Sequence, residues 1–205
     1  MLIGSGSYGS AFRVCKDKIG CKQCIVLKTG DIEADEIRAT KAVTDVMAGV
    51  SPHFVKFKGG VVNKGKSFLF LEYAPPIVPA NPGRSGVGTF QGVLSRGNDF
   101  GIGSDMIRQM IFQTCYSLIA LTPVARHNDI KAANIAVCPW DMKSSVTYQA
   151  SPDLRFRLKN PKVNVRIVDF GLLDGPTQAF QNDDIMDSWS DYCSKGAGQR
   201  QDQLI

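Results

Sequence analysis

Short runs of alternating apolar and polar residues, interrupted by one helical stretch, occupy the first seventy positions, and a longer helical repeat comes later. Leu2-Ile3 and residues 11–15 read as strands on either side of a glycine-rich turn, Asp17-Lys18-Ile19-Gly20 reads as a second turn, and residues 24–28 form a strand that is apolar until Lys28. From about 31 to 48 the spacing becomes helical. Asp31, Glu33, Asp35 and Glu36 crowd its first turns, where the helix dipole favours acids, and Gly49 ends it. Strand patterning returns at 54–57, 60–62 and 67–71. Residues 81–103 hold seven glycines, whose backbone entropy predicts a mobile loop with at most a short helix. Ser104 can then cap a helix over 105–121, with Ile107, Ile111 and Leu118 along one side. Residues 135–137 and 163–168 read as short strands, and no internal repeat is present.

Composition narrows the class. The 205 residues are 43% hydrophobic and 21% charged, an ordinary globular balance. The net charge of +5 comes from scattered Lys and Arg. The nearest approach to a basic block is Arg155, Arg157, Lys159 and Lys162, read as a solvated loop, so no nucleic-acid partner is expected. No stretch nears the roughly 18 apolar residues of a membrane span, and no charged leader precedes an apolar segment. An intracellular, cytoplasmic protein with no membrane partner is the expectation. Six dispersed cysteines fit reduced thiols in that compartment. Cys15, Cys21 and Cys24 lie close together but lack a nearby fourth ligand, so zinc is not expected.

Chemistry concentrates in three stretches. Gly4, Gly6 and Gly9 have a spacing that lets backbone N–H groups approach phosphate oxygens, since no Cβ holds the chain away. The strand pattern after Gly9 disfavours the dinucleotide-binding version of that loop, and Gly86-Val87-Gly88 and Gly101-Ile102-Gly103 follow no strand and are decoys. His127-Asn128-Asp129-Ile130-Lys131-Ala132-Ala133-Asn134 and Asp169-Phe170-Gly171 complete the set, with Lys28 on a strand before both. In this order the segments resemble the eukaryotic-type protein kinase family from Leu2 to about Gly171. The His127-Asn128-Asp129 form and the helix leading to Pro52-His53-Phe54 look similar to divergent kinases of large DNA viruses, in which case the compartment would be the host cytoplasm.

The resemblance implies an α+β, bilobal kinase-like fold. Residues 1–73 would form an N-lobe with a five-stranded antiparallel sheet and one main helix, and residues 74–205 a hinge and a partial, mainly helical C-lobe. It implies ATP and Mg²⁺ as cofactors and a protein substrate with a Ser or Thr acceptor. Asp129 would be the base that orients and accepts the hydroxyl proton, and Lys131 would stabilise the transferring phosphate and favour Ser/Thr over Tyr specificity. Asn134 and Asp169 would bind magnesium, His127 would pack beneath the site, and Phe170 would pack towards the helix of Glu36. Ile3, Gly4, Gly6, Gly9, Ala11 and Val26, with Glu72 and Ala74 at the hinge, would hold the nucleotide. Lys28 would touch its phosphates and pair with a carboxylate of the next helix. At about 100° per residue Glu36 projects within about 20° of Val43 and Glu33 about 80° away, which selects Glu36.

Departures from the family bear on the function. Asn128 stands where an arginine usually receives an activation-loop phosphate, so that switch should be missing or different. Asn134 and Asp169 lie 35 residues apart, which makes 138–161 an insertion between two strands. After Gly171 only 34 residues remain, without an APE motif; Asp187-Ser188-Trp189-Ser190 faintly resembles a later helix start, and 196–203 reads as a frayed tail. The competing readings are an ATP-binding pseudokinase or fragment, which the missing helices suggest, and a kinase-like small-molecule phosphotransferase, against which Lys131 and the complete Asp169-Phe170-Gly171 count.

Overall fold

Strand β1 (Leu2–Gly6) folds back on β2 (Gly9–Cys15), and β2 pairs with β3 (Cys24–Gly30). After helix α1 (Ala34–Val46), β4 (Phe57–Asn63) and β5 (Lys66–Glu72) complete a five-stranded antiparallel sheet in the order β1-β2-β3-β5-β4. The computed structural model describes residues 1–6, 9–16, 24–80, 86–140 and 145–175. The expected turn at 17–20, Cys21, the Trp189 segment and the tail all lie outside them. The protein is α+β, with few helices.

Residues paired across an antiparallel ladder point to the same side, and side chains two apart share a face. Ala11 lies opposite Lys28, Lys28 opposite Leu69, and Val26 opposite Leu71, so one sheet face carries all five. Leu69 and Leu71 sink into a core with Ile32, Val43 and Met47 of the α1 region and with Leu121, Ile167 and Phe170. Each such apolar side chain contributes about 1.5–3 kcal/mol by leaving water. Helix α1 is also held by polar bonds. Thr44 Oγ1 donates to Thr40 O and accepts from the Phe57 N–H at 2.8 Å, fixing the helix to the start of β4.

A second core lies under α2 (Phe90–Arg96), α3 (Ser104–Leu121) and the antiparallel pair β6 (Ile135–Pro139) and β9 (Val163–Ile167). Several details differ from the sequence expectations. Within the glycine-rich stretch, residues 86–103 build α2 and a 3-10 turn (Gly97–Phe100), with Thr89 Oγ1 capping α2 by accepting from Gly92 N–H at 3.1 Å. Close approach explains one of its glycines: a Cβ on Gly86 would lie 2.6 Å from Val78 O. Ser104 is the first residue of α3, and its N-cap is Gly103. The buried face of α3 is Met110, Gln113, Thr114, Ser117, Ala120 and Leu121, whereas Ile111 is exposed. Polar bonds override hydrophobicity there. Gln113 donates to Val163 O at 2.9 Å and accepts from Val165 N–H at 3.0 Å, acting as a side-chain partner for β9.

Residues 54–57 form no separate strand. Phe54 makes one parallel bridge to Ile167, and backbone bonds run from Val55 N–H to Ile167 O and from Ile167 N–H to His53 O. This clamp ties the α1–β4 connection to β9. Among the described residues after 74 the helices are joined by two strand pairs, one of them a hairpin of β7 (Val146–Ser151) and β8 (Leu154–Leu158) in the stretch between β6 and β9. Arg155 and Arg157 are exposed on β8 rather than in a loop. No helix among the described residues is long and apolar enough to cross a membrane.

The hairpin is anchored by Tyr148, which packs on Phe112 and Tyr116 and, through its hydroxyl, on His53 Nε2 at 3.0 Å. His53 is fully buried, and its Nδ1 lies 2.8 Å from Asn164 Oδ1. A neutral ring with the proton on Nδ1 satisfies both partners. Burial lowers its pKa from 6.5 to about 4. The folded value lies below the unfolded one, so the stabilisation is complete above pH 6.5 and is lost as pH falls through about 4. Urea midpoints should therefore drop over this window by the equivalent of about 3 kcal/mol, and His53→Gln should flatten the profile. An unchanged profile in the variant would show that His53 does not carry it.

Candidate functional site

Lys28 ends the apolar run of β3 with its ammonium group turned towards α1. Its Nζ lies 2.5 Å from Glu36 Oε1 and 2.9 Å from Asp169 Oδ1. Glu33 instead occupies the N-cap of α1, so only Glu36 lies on the inner face, where its side chain is 8% exposed. Burial alone would lower the Lys28 pKa, but the hydrogen bonds and charges of Glu36 and Asp169 outweigh it and raise the group above 10.5. Ala11 and Val26 share the Lys28 face of the sheet, one opposite it and one two residues away. Ile3 is exposed on β1. Gly4 pairs with Ala11 and Gly6 with Gly9. Glu72 pairs with Ile25 at the end of β5, and its carboxylate lies 3.4 Å from Arg166 Nε on β9. Ala74 follows in the connection that leaves the sheet.

The second half of the site hangs from β6 and β9. Asp129 accepts from Lys131 Nζ at 2.7 and 3.0 Å and from Asn134 Nδ2 at 2.9 Å, while Asn134 Nδ2 also donates to Asp129 O at 3.0 Å. Lys131 above all, with Asn134, holds the Asp129 carboxyl below its usual value against the opposing effect of burial. His127 lies beneath. Its Nε2 reaches Val168 O at 3.0 Å, its Nδ1 accepts from Asp129 N–H at 3.4 Å, and burial lowers its pKa. Both bonds suit a neutral ring, which gives His127 a positioning role. Phe170 is buried with its ring 5.1 Å from His127 and 6.3 Å from Phe54.

Backbone geometry joins the segment of Asp129 to that of Asp169. Asn128 (φ 58°) and Asp169 (φ 68°) both take the left-handed conformation, which asparagine and aspartate tolerate better than most residues. Asn128 Nδ2 donates to Leu172 O at 3.1 Å, and Arg126 and Asp174 exchange two backbone hydrogen bonds. An asparagine at 128 thus serves both the turn and the contact between segments.

Two further contacts lie outside the expected set. Cys15 and Cys24 form a disulfide at the last register pair of β2 and β3, whereas reduced thiols were expected. A hairpin centred between Ile19 and Gly20 places 15 opposite 24, so the register was a usable signal. Arg13 donates from Nε to both sulfurs, at 3.3 and 3.4 Å, and its guanidinium carbon stands 4.8 Å above the Tyr73 ring.

No family model matches this chain, and no curated protein matches it. What the site can do is read from its geometry.

Two measurements probe the site without any substrate. A Cβ on Gly9 would stand 2.1 Å from Thr29 O, whereas one on Gly4 would meet nothing within 4 Å. Gly9→Ala should therefore cost about 1–3 kcal/mol in urea unfolding and Gly4→Ala far less; equal costs would contradict the close approach of β2 to β3. The raised Lys28 pKa stabilises the fold fully below pH 10.5 and ceases to do so as pH rises through the folded value. Lys28→Met should lose less stability than wild type across that alkaline window, and parallel curves would argue against the ion triad.

Proposed function

We propose that the chain is an ATP-dependent protein kinase that transfers the γ-phosphate to Ser or Thr hydroxyls. The observation that carries this reading is the convergence of Lys28, Glu36 and Asp169 on one ammonium group, with Asp129, Lys131 and Asn134 assembled on the neighbouring segment. On this reading the five-stranded sheet with α1 is the N-lobe of a bilobal kinase fold, and the elements after Glu72 form a partial C-lobe.

The residues divide the work by chemistry. Phosphoryl transfer needs positioning and charge stabilisation more than covalent help. The paired glycines of β1 and β2 bring backbone donors to the phosphates. Lys28, held by Glu36, is a fixed cation for phosphate oxygens. Ala11, Val26 and Leu71 share the sheet face that would carry the apolar base, and Ile3 and residues 72–74 would edge it. Asp129 orients the acceptor hydroxyl and takes its proton late, as a carboxylate of lowered pKa should, while Lys131 beside it neutralises charge on the transferred group.

Asn134 and Asp169 suit a magnesium ion. The Asn134 amide nitrogen is engaged by Asp129, which turns the oxygen the other way, and Asp169 offers a carboxylate that is 38% exposed. No group of three or more His, Cys, Asp or Glu among the described residues could hold a metal by itself. Magnesium does not require one, because one or two protein oxygens with phosphate and water complete its shell. When bound, the ion would neutralise charge on the phosphates. The protein's part is to hold these two oxygens beside Lys28 and Asp129.

Labelled γ-phosphate transfer from Mg·ATP to a generic basic protein tests the proposal. Wild type should transfer label, and Asp129→Asn should lose about 10²–10⁴-fold. A folded wild type that binds Mg·ATP without transferring it would instead be a pseudokinase, transfer only to small alcohols would make it a small-molecule phosphotransferase, and failure even to bind would overturn the reading.

A further inference from the structure

We propose that Cys15 and Cys24 form a reversible thiol–disulfide site, exchanged by low-molecular-weight dithiols and disulfides, whose state is transmitted to the nucleotide cleft by Arg13. The bridge is not needed to build its hairpin, because the β2–β3 register already pairs every residue from Gly9 to Cys15 with a partner. Both cysteines are only partly buried, so a small thiol can reach the sulfurs. Arg13 donates to both sulfurs, and a guanidinium there stabilises whichever one leaves as a thiolate.

A thiolate of the dithiol attacks one protein sulfur, forming a mixed disulfide as the Cys15–Cys24 bond breaks. The electron pair leaves on the other sulfur, which stays a thiolate against the Arg13 guanidinium. The second thiol of the reagent then displaces the remaining cysteine. The protein gains two electrons and one proton, the second proton of the dithiol passes to water, and the dithiol becomes its cyclic disulfide. Oxidised glutathione drives the reverse reaction and is reduced to two thiols.

Arg13 gives this chemistry a readout. A disulfide sulfur is a weak acceptor, and a thiolate is a full charge, so reduction strengthens the hold of the sulfurs on the guanidinium. The same group stacks on Tyr73, in the connection that follows Glu72, through a modest cation–π contact. Reduction therefore loosens the tie between β2 and that connection. This consequence for nucleotide binding rests on the kinase reading; the thiol chemistry does not.

Alkylation followed by tryptic peptide mapping tests the site directly, because the three nearby cysteines fall on separate fragments, 14–16, 19–22 and 23–28. Protein equilibrated with oxidised glutathione should show 14–16 linked to 23–28, and dithiothreitol should convert both to alkylated peptides, with exposed Cys115 labelled throughout. Arg13→Gln should slow the reduction at least about threefold. Linkage through 19–22, alkylation of Cys15 and Cys24 before reduction, or an unchanged rate in the variant would overturn the assignment. A fluorescent ATP analogue should bind the oxidised protein several-fold more tightly than the reduced one, and Cys15→Ser should abolish the difference. Equal affinities would overturn the coupling. Binding by neither form would instead overturn the kinase reading and the coupling with it, while the peptide map would still decide the thiol chemistry.

Discussion

A single ammonium group sets the geometry on which the other parts of this site depend. Lys28 reaches the end of an apolar strand and would be costly to bury alone, so it needs carboxylates from elsewhere in the chain. Glu36 arrives from α1 and Asp169 from the segment after β9, 141 residues away from the lysine. The contact fixes the rotation of α1 about its axis and the path of the chain beyond β9. The helix is held in that rotation by Thr44, which bonds to Phe57 N–H, and by Val43 and Met47 in the core. Removing either carboxylate would leave the lysine underpaired in a half-buried place, which makes this triad a constraint on the fold as well as on chemistry.

The segment that brings Asp169 is itself positioned by contacts that do no chemistry. His127 and Phe170 pack with tilted rings between the two segments, and the backbone bonds of Arg126 with Asp174 run beside them. Asn128 and Asp169 accept left-handed backbone angles, a local cost that persists only where neighbours over-determine it. Here the neighbours are identifiable: Leu172 O for Asn128, and Lys28 for Asp169. The clamp of His53, Phe54 and Val55 on Ile167 carries the same rigidity back to the sheet. Under the proposed phosphotransfer, catalytic geometry would depend on this framework because each reacting group sits at the end of an element and has little support of its own.

Arg13 shows how one side chain can link regions that the motifs treat as separate. It lies on β2, touches the sulfurs of Cys15 at the end of that strand and of Cys24 at the start of β3, and covers Tyr73 beyond the end of β5. Glu72, one residue earlier, is tied to Arg166 on β9. The connection leaving the sheet is thus gripped from two sides by arginines whose planar cations suit stacking and carboxylate pairing.

The sequence by itself determined most strands of the sheet, the helix between β3 and β4, and the choice of Glu36 over Glu33, while the pairing order of the strands came from the structure. Alternation and a 3.6-residue period report which side of an element faces inward, and they need no knowledge of the partner. The local order of Asp129, Lys131 and Asn134 was legible for the same reason, because those groups meet within one short turn. Tertiary structure alone decided the rest. The inner face of α3 was misread because Gln113 and Ser117 are buried by hydrogen bonds to β9 and Ser51, which a hydrophobic pattern does not register. The 138–161 stretch stood out only by its length, since its hairpin is held by Phe112, Tyr116 and His53 from distant positions. Asp169 meeting Lys28, and Arg13 meeting Tyr73, depend on how separate elements are packed, and pairings of that kind follow from three-dimensional geometry rather than from the spacing of residues along the chain.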